Sequence, residues 1–313
     1  MFKWLKAIAV LFVAIIFLVA CSTDAPGSEE DAEGTGDESE DVTVGFSVST
    51  LNNPFFVSLR DGTEAAAKEA GFKVITSDAQ DDPTTQLSDI EDMLQQDIDV
   101  LLINPVDSEA VVSAVELANE AGVPVITVDR SADAGEVVAH VASDNVAGGE
   151  MAGEYIASQL EEQGKLVEIE GVPGASATRE RGAGFHNVVD ELDDLEVVAN
   201  QTANFDRTEG LTVMENILQG KANINAVFAH NDEMALGALE AIESAGLSEE
   251  ITVVGFDAID DAVKAVENGE LGATIAQQPE LIGAEAVKAA QKIINDEEVE
   301  ETIPVELELI TNN

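Results

Sequence analysis

The sequence predicts an α/β protein built from two doubly wound parallel-sheet lobes. Short apolar runs alternate with stretches of 3.6-residue apolar spacing from residue 42 onward. Such alternation specifies parallel sheets covered by helices on both faces. The chain has 313 residues, and domains commonly take about 100–200 residues each, so two fit.

The first strands are expected at residues 42–48, 73–77, 100–104, 125–129 and 137–142. A second series falls at 165–169, 195–199, 226–230, 252–256 and 274–277, with 303–309 last. Helical spacing is plain at 56–70, 84–96, 109–121 and 145–160. Gly71, Gly122, Gly246 and Gly269 stand where helices should stop, because glycine readily takes the left-handed conformation that ends them. Asn53 is placed to cap the helix that Pro54 opens after the first strand. A strand tip opening into a helix is a favoured ligand position in such sheets. This tip carries an amide and two phenyl rings, Phe55 and Phe56. The rings suit the C–H face of a sugar, and they equally suit packing of the helix onto the sheet.

The first 41 residues stand apart. Lys3 and Lys6 precede an uncharged apolar run at 7–20, so residues 1–20 read as an export signal. That run is shorter than the roughly 20 residues a membrane-spanning helix needs. Cys21 directly follows Leu18-Val19-Ala20, which resembles a bacterial lipobox. The resemblance implies cleavage before Cys21 and a lipid on its sulfur, anchoring the protein to the outer face of the cell membrane. An uncleaved N-terminal anchor is the alternative. Cys21 is the only cysteine, which excludes intrachain disulfides and a cysteine metal cluster. The segment 21–41 continues with nine acidic residues and no basic one, the composition of an extended, self-repelling tether.

Formal net charge is −49, from 63 acidic and 14 basic residues. A surface of that sign repels nucleic-acid phosphates, so a nucleic-acid partner is not expected. The excess far exceeds the magnitude of about 2–8 that suits a small domain, and it points to a high-salt or alkaline habitat. Screening shrinks to about 3 Å near 1 M salt, so the melting temperature is expected to climb with added NaCl. A melting temperature independent of salt removes that inference. Beyond residue 20 only five arginines occur: Arg60, Arg130, Arg179, Arg181 and Arg207. Arg60, Arg179 and Arg207 most simply pair with nearby acids.

Nine segments recur in a familiar order. They are STLNNPFFVSL (49–59), LLINPVDS (101–108), PVITVDR (124–130), ASDN (142–145), RERGAGF (179–185), FDR (205–207), NDEMALGA (231–238), VVGFD (253–257) and TIAQQP (274–279). Together they resemble the ribose-binding proteins of ABC importers, a branch of the type I periplasmic binding proteins, from residue 42 to the C-terminus. The resemblance implies a three-segment hinge, crossed near 143–144, near 277 and near 305–307. It implies an N-terminal lobe of residues 42–143 with 278–306 and a C-terminal lobe of 144–277 with 307–313. It also implies a monomer that captures a monosaccharide, ribose, between the lobes and delivers it to an ABC permease without a cofactor or metal.

In that family the positions matching Asn53, Asp129, Arg130, Arg181, Asn231, Asp257 and Gln277 hydrogen-bond the sugar. Those matching Phe55, Phe56 and Phe205 enclose its ring, and Ser49 and Asn104 line the same pocket. The chemistry is coherent, since a hydroxyl both donates and accepts and so satisfies Asp and Arg or Asn together. Two Asp against two Arg leave the set formally neutral, which suits an uncharged polyol.

Plainer roles exist for several of these residues. Asp129-Arg130 reads equally as a solvated or capping pair, Asp257 and Asn231 as helix caps, and Phe205 as a hydrophobic staple. Two departures from the family pattern stand out: Ala258 replaces a glycine, and His230 replaces a polar amide. Within the class, another pentose, a hexose or a furanose signal is the alternative ligand. A sugar-responsive repressor needs a DNA-binding helix-turn-helix where this chain has a signal and a tether. A glycosidase pair of Asp129 and Asp257 is disfavoured because the arginines beside them should hold both ionised. The three histidines, His140, His186 and His230, lack metal spacing and read as packing or surface residues.

Overall fold

The computed structural model describes residues 42–221 and 223–312. The expected export signal, Cys21 and the expected acidic tether lie outside the described residues.

The chain begins with five β-strands, β1 (Thr43–Val48), β2 (Lys73–Asp78), β3 (Val100–Ile103), β4 (Val125–Val128) and β5 (Ala139–Ser143). Three helices join the first four of them: α1 (Pro54–Ala70), α2 (Pro83–Leu94) and α3 (Val112–Glu120). There follow α4 (Asn145–Gln159), β6 (Gly164–Glu170), α5 (Ser176–Val189), β7 (Leu195–Thr202) and α6 (Arg207–Gly220). Next come β8 (Ala226–Ala229), α7 (Asp232–Ser244), β9 (Thr252–Asp257), α8 (Asp260–Glu267) and β10 (Ala273–Ala276). The chain closes with α9 (Pro279–Ile294), β11 (Thr302–Val305) and β12 (Glu308–Thr311).

Local chemistry explains the boundaries. Asn53, Asp82, Asp144, Asp206 and Asn231 each accept a backbone N–H at the start of a helix, satisfying donors that a helix leaves unpaired. Pro54, Pro83 and Pro279 fill first-turn positions where no N–H is needed. Gly71 ends α1 at φ 78°, and Gly122, Gly246 and Gly269 sit in the same left-handed region. The strands β3, Val-Leu-Leu-Ile, and β4, Val-Ile-Thr-Val, are buried at every residue, as sheets covered on both faces require.

The strands form two six-stranded sheets with one shared winding, β11-β5-β4-β3-β1-β2 and β12-β10-β9-β8-β6-β7. Helices α1 and α9 pack together beside the first sheet, as do α4 with α5 and α6 with α7 beside the second. Phe46 lies in the core of the first lobe, while Phe185, Phe228 and Phe256 cluster under α4 and α5 in the second. Each fully buried side chain of this kind stabilises the fold by about 1.5–3 kcal/mol.

The chain passes between the sheets three times: from β5 to β6, from β10 to β11, and from β11 to β12. The last passage corrects the sequence reading of one strand at 303–309. Glu306 and Leu307 carry the chain across, so that β11 belongs to one sheet and β12 to the other. It also corrects the expectation of wholly parallel sheets, because β12 runs antiparallel to β10. With no helix between β11 and β12, the chain cannot return to the far end of the second sheet, and β12 must run away from the crossing.

Candidate functional site

In both sheets the carboxyl ends of the central strands supply the polar residues. Asn53 follows β1, Asn104 follows β3 and Asp129-Arg130 follows β4. Phe205 follows β7, Asn231 follows β8, Asp257 ends β9 and Gln277 follows β10, with Arg181 on α5. This is where an open α/β sheet binds ligands. Two such edges face one cleft, lined by Asn53, Phe55, Phe56, Asp129, Arg130, Ala177, Arg181, Phe205, Asn231 and Asp257. Ser49, Asn104 and Gln277 stand behind that lining. Asn104 Nδ2 donates to Asp129 Oδ2 at 3.2 Å, and Asn104 Oδ1 accepts from Ser49 N at 3.2 Å. Gln277 Nε2 donates to Asp257 Oδ1 at 2.9 Å.

The charged groups form one pair from each lobe. Arg130 Nε lies 3.7 Å from Asp129 Oδ2, and Arg181 Nη1 lies 3.7 Å from Asp257 Oδ1. All four residues are at most 6% exposed, so a solvated Asp129-Arg130 pair is not what the fold makes. The arginines are held mainly by other groups. Arg181 Nε donates to Asn145 Oδ1 at 2.8 Å and its Nη1 to the His230 carbonyl at 2.6 Å. Arg130 Nη1 donates to the Pro105 carbonyl at 3.1 Å. Their guanidinium planes also meet rings: Arg181 lies 3.8 Å from the centre of Phe256, and Arg130 lies 5.0 Å from Phe56 and 5.1 Å from Phe205.

The remaining alternatives resolve residue by residue. Asn53 Oδ1 caps α1 through Phe55 N at 2.9 Å and still lines the cavity. Asn231 Oδ1 caps α7 through Met234 N at 2.9 Å, while its Nδ2 donates to the Phe205 carbonyl. Asp257 is not a cap, for α8 starts after Ile259 and has no side-chain cap. Phe55 and Phe56 do both jobs, joining the core cluster and facing the cavity edge-to-face with centres 5.2 Å apart. Arg60, Arg179 and Arg207 pair with Asp61, Asp133 and Glu233.

Asp257 departs from the expectation that a neighbouring arginine holds it ionised. Burial pushes its carboxyl up to about 7, against the pull of Arg181 and Gln277. Arg181 cannot prevail because its closest hydrogen bonds go to Asn145 and His230 rather than to the carboxylate. Burial likewise lowers the Arg130 guanidinium, opposed by Asp129. Four buried atoms around the site have no hydrogen-bond partner in the protein: Ser49 Oγ, Asp129 Oδ1, Arg130 Nε and Gln277 Oε1. Acceptors and a donor stranded together cost about 1–3 kcal/mol each, and of these Asp129 Oδ1 and Arg130 Nε belong to lining residues.

The histidines are less scattered than their positions suggest. His230 Nε2 and His186 Nε2 each lie 3.0 Å from an oxygen of Glu168, a carboxylate with no exposure, and Asn200 donates to the same group. Burial acts to raise Glu168, but the two histidines outweigh it and hold the carboxyl below its usual range. This cluster anchors His230, whose carbonyl holds Arg181. Sequence reasoning missed it, together with Asn145 and Ala177.

The two lobes also touch away from the cavity. Ser108 N donates to the Gly174 carbonyl at 3.0 Å, Ser176 N to Ser108 Oγ at 3.1 Å and Ser131 N to Ser176 Oγ at 2.9 Å. Arg179 Nη2 donates to Asp133 Oδ1 at 2.7 Å.

Comparison with known proteins agrees with this architecture. The family model described as a periplasmic binding protein domain matches residues 44–298. The ribose import binding protein RbsB of Bacillus subtilis is 57% identical over 277 residues, 88% of this chain and 89% of that protein. The protein of the same name from Escherichia coli is 47% identical over 268 residues, 86% of this chain and 90% of its own. Among solved structures, an ABC transporter solute binding protein from Bacillus halodurans with bound myo-inositol superposes with a TM-score of 0.84. It is 36% identical, over 89% of this chain and 96% of its own. The chain is a member of the periplasmic binding protein family.

Proposed function

We propose that this protein captures ribose outside the cell and delivers it to an ABC permease by closing its lobes over the sugar. One observation carries the reading: an Asp–Arg pair from each lobe meets phenyl rings in a single cavity, with an unpartnered acceptor, Asp129 Oδ1, and donor, Arg130 Nε, on its lining residues. The set is formally neutral, as an uncharged polyol requires. Asn53, Asp129, Arg130, Arg181, Asn231 and Asp257 hydrogen-bond the hydroxyls, and Phe55, Phe56 and Phe205 cover the ring. Gln277, Asn104 and Ser49 hold those groups in place. The lobes are residues 42–143 with 278–306 and 144–277 with 307–313. The names of the Bacillus and Escherichia relatives, both ribose import binding proteins, support ribose among the sugars.

In this mechanism the open lobes admit the sugar, and its contacts to both lobes favour the closed form. Buried polar groups left unpaired by a wrong epimer provide discrimination. Calorimetric titration against ribose, other pentoses, hexoses and myo-inositol tests the reading. Ribose should bind most tightly, and a stronger response to myo-inositol or a hexose replaces it.

The raised Asp257 carboxyl favours one rival, since a general acid needs a proton near neutral pH. Turnover of nitrophenyl glycosides that is abolished by Asp129→Asn supports that rival, and no turnover leaves the receptor reading. The lipid anchor on Cys21 is part of the proposal. Cys21→Ser is expected to release the protein into the medium, and retention on membranes means an uncleaved anchor.

A further inference from the structure

Asp232 opens α7 next to Asn231, yet it does not line the cavity. Its side chain has no exposure. Oδ1 accepts from the Thr274 hydroxyl at 2.7 Å, and Oδ2 accepts from Ile259 N at 2.9 Å. Thr274 Oγ1 in turn accepts from Ala258 N at 3.2 Å. One carboxylate and one hydroxyl thus hold both amides of the two residues after Asp257. Burial drives the Asp232 carboxyl well above its ordinary range, so a group placed here works against solvation.

The backbone it holds is strained. Asp257 has φ 110° and Ala258 has φ 54°, regions that residues bearing a Cβ rarely adopt. Gly255 makes room for the arrangement, because a Cβ there would overlap Asp232 Oδ1. Asp232 also sits in the first turn of α7, where a negative charge is favourable. That placement alone would affect stability and nothing else.

We infer that Asp232, acting with Thr274, is a positioning residue for sugar binding: the two strap the strained turn at 257–259 so that the Asp257 carboxylate faces the cavity. The inference rests on the proposed role of Asp257 toward the sugar. It also accounts for Ala258: the strap holds alanine in a conformation for which glycine needs no help.

The test uses the full-length chain, titrated calorimetrically with the panel sugar that the unmodified protein binds, alongside thermal melting. Asp232→Asn places an amide N–H against donors, and it should weaken affinity by about 10- to 100-fold, the scale of one charge-assisted hydrogen bond. Adding Ala258→Gly should recover most of that affinity, because glycine adopts the turn without the strap. A purely structural Asp232 would lower the melting temperature and gain nothing in affinity from Ala258→Gly. Should Asp232→Asn fail to fold, Thr274→Val removes one strap bond at nearly constant volume and should weaken binding by about threefold to tenfold. Unchanged affinity in Asp232→Asn or Thr274→Val, or no rescue by Ala258→Gly, overturns the strap. Failure of the unmodified protein to bind any sugar overturns the proposed function, and the strap with it.

Discussion

Arg181→Ala is expected to raise the dissociation constant for ribose by at least about 100-fold, because removing one partner of a buried ion pair costs about 3–5 kcal/mol. Arg181 ties together four groups: Asn145, the His230 carbonyl, the Asp257 carboxylate and the face of Phe256. Alanine leaves Asp257 with Gln277 as its one side-chain hydrogen-bond donor, so burial drives its carboxyl higher still. Sugar hydroxyls on that side lose a donor, and Asn145 Oδ1 and the His230 carbonyl lose theirs. Arg181→Lys keeps the charge but not the planar fork and should fall between. Calorimetry decides, and an unaltered affinity removes Arg181 from the site.

The second large effect concerns closure without sugar, and its handle is pH. In the closed molecule burial holds Asp257 near 7, against an ordinary value of 3.8. Opening the lobes is expected to hydrate the group and lower its carboxyl toward the ordinary range. The closed form therefore binds the proton more tightly, and acidification through about 7 favours it. The bias grows as pH falls toward 3.8 and amounts to at most about 4 kcal/mol by linkage, at 1.36 kcal/mol per pKa unit. Above about pH 7 it is gone. Spin-label distances between the lobes, measured without sugar from pH 8 to pH 5, should show the closed population rising. Asp257→Asn should be insensitive to pH in this range and already shifted toward closure, while binding ribose poorly. A closed population indifferent to pH in the unmodified protein rules this account out.

Much of this molecule can be read along the chain where the signal is local. Asn53-Pro54 announces its helix through capping chemistry alone, and α1 starts there. The few arginines in an acidic chain are conspicuous, and they sort into Arg130 and Arg181 at the cavity and three outer ion pairs. What stayed hidden depends on register. Glu168, His186, Asn200 and His230 are spread over β6, α5, β7 and the end of β8. A register shift at Leu166/Val167 brings Asn200 opposite Glu168, and no periodicity encodes that shift. The strap is hidden for a similar reason: Asp232 and Thr274 meet only because β9 and β10 pair alongside α7. The break at Glu306-Leu307 is invisible to periodicity, because an extended chain that changes sheets looks like one strand, and only the family resemblance placed a crossing there.

The serine and Arg179–Asp133 contacts between the lobes touch no part of the cavity, so they favour the shut conformer whatever it holds. Altering them would scale retention of every guest by a common factor, since apparent affinity follows the fraction of molecules already competent to bind. Preference among sugars, set by the groups around the ring, would stay as it is. Grip and taste are thus separately adjustable in this architecture, and hold time can be tuned for the next carrier without rebuilding the recognition surface.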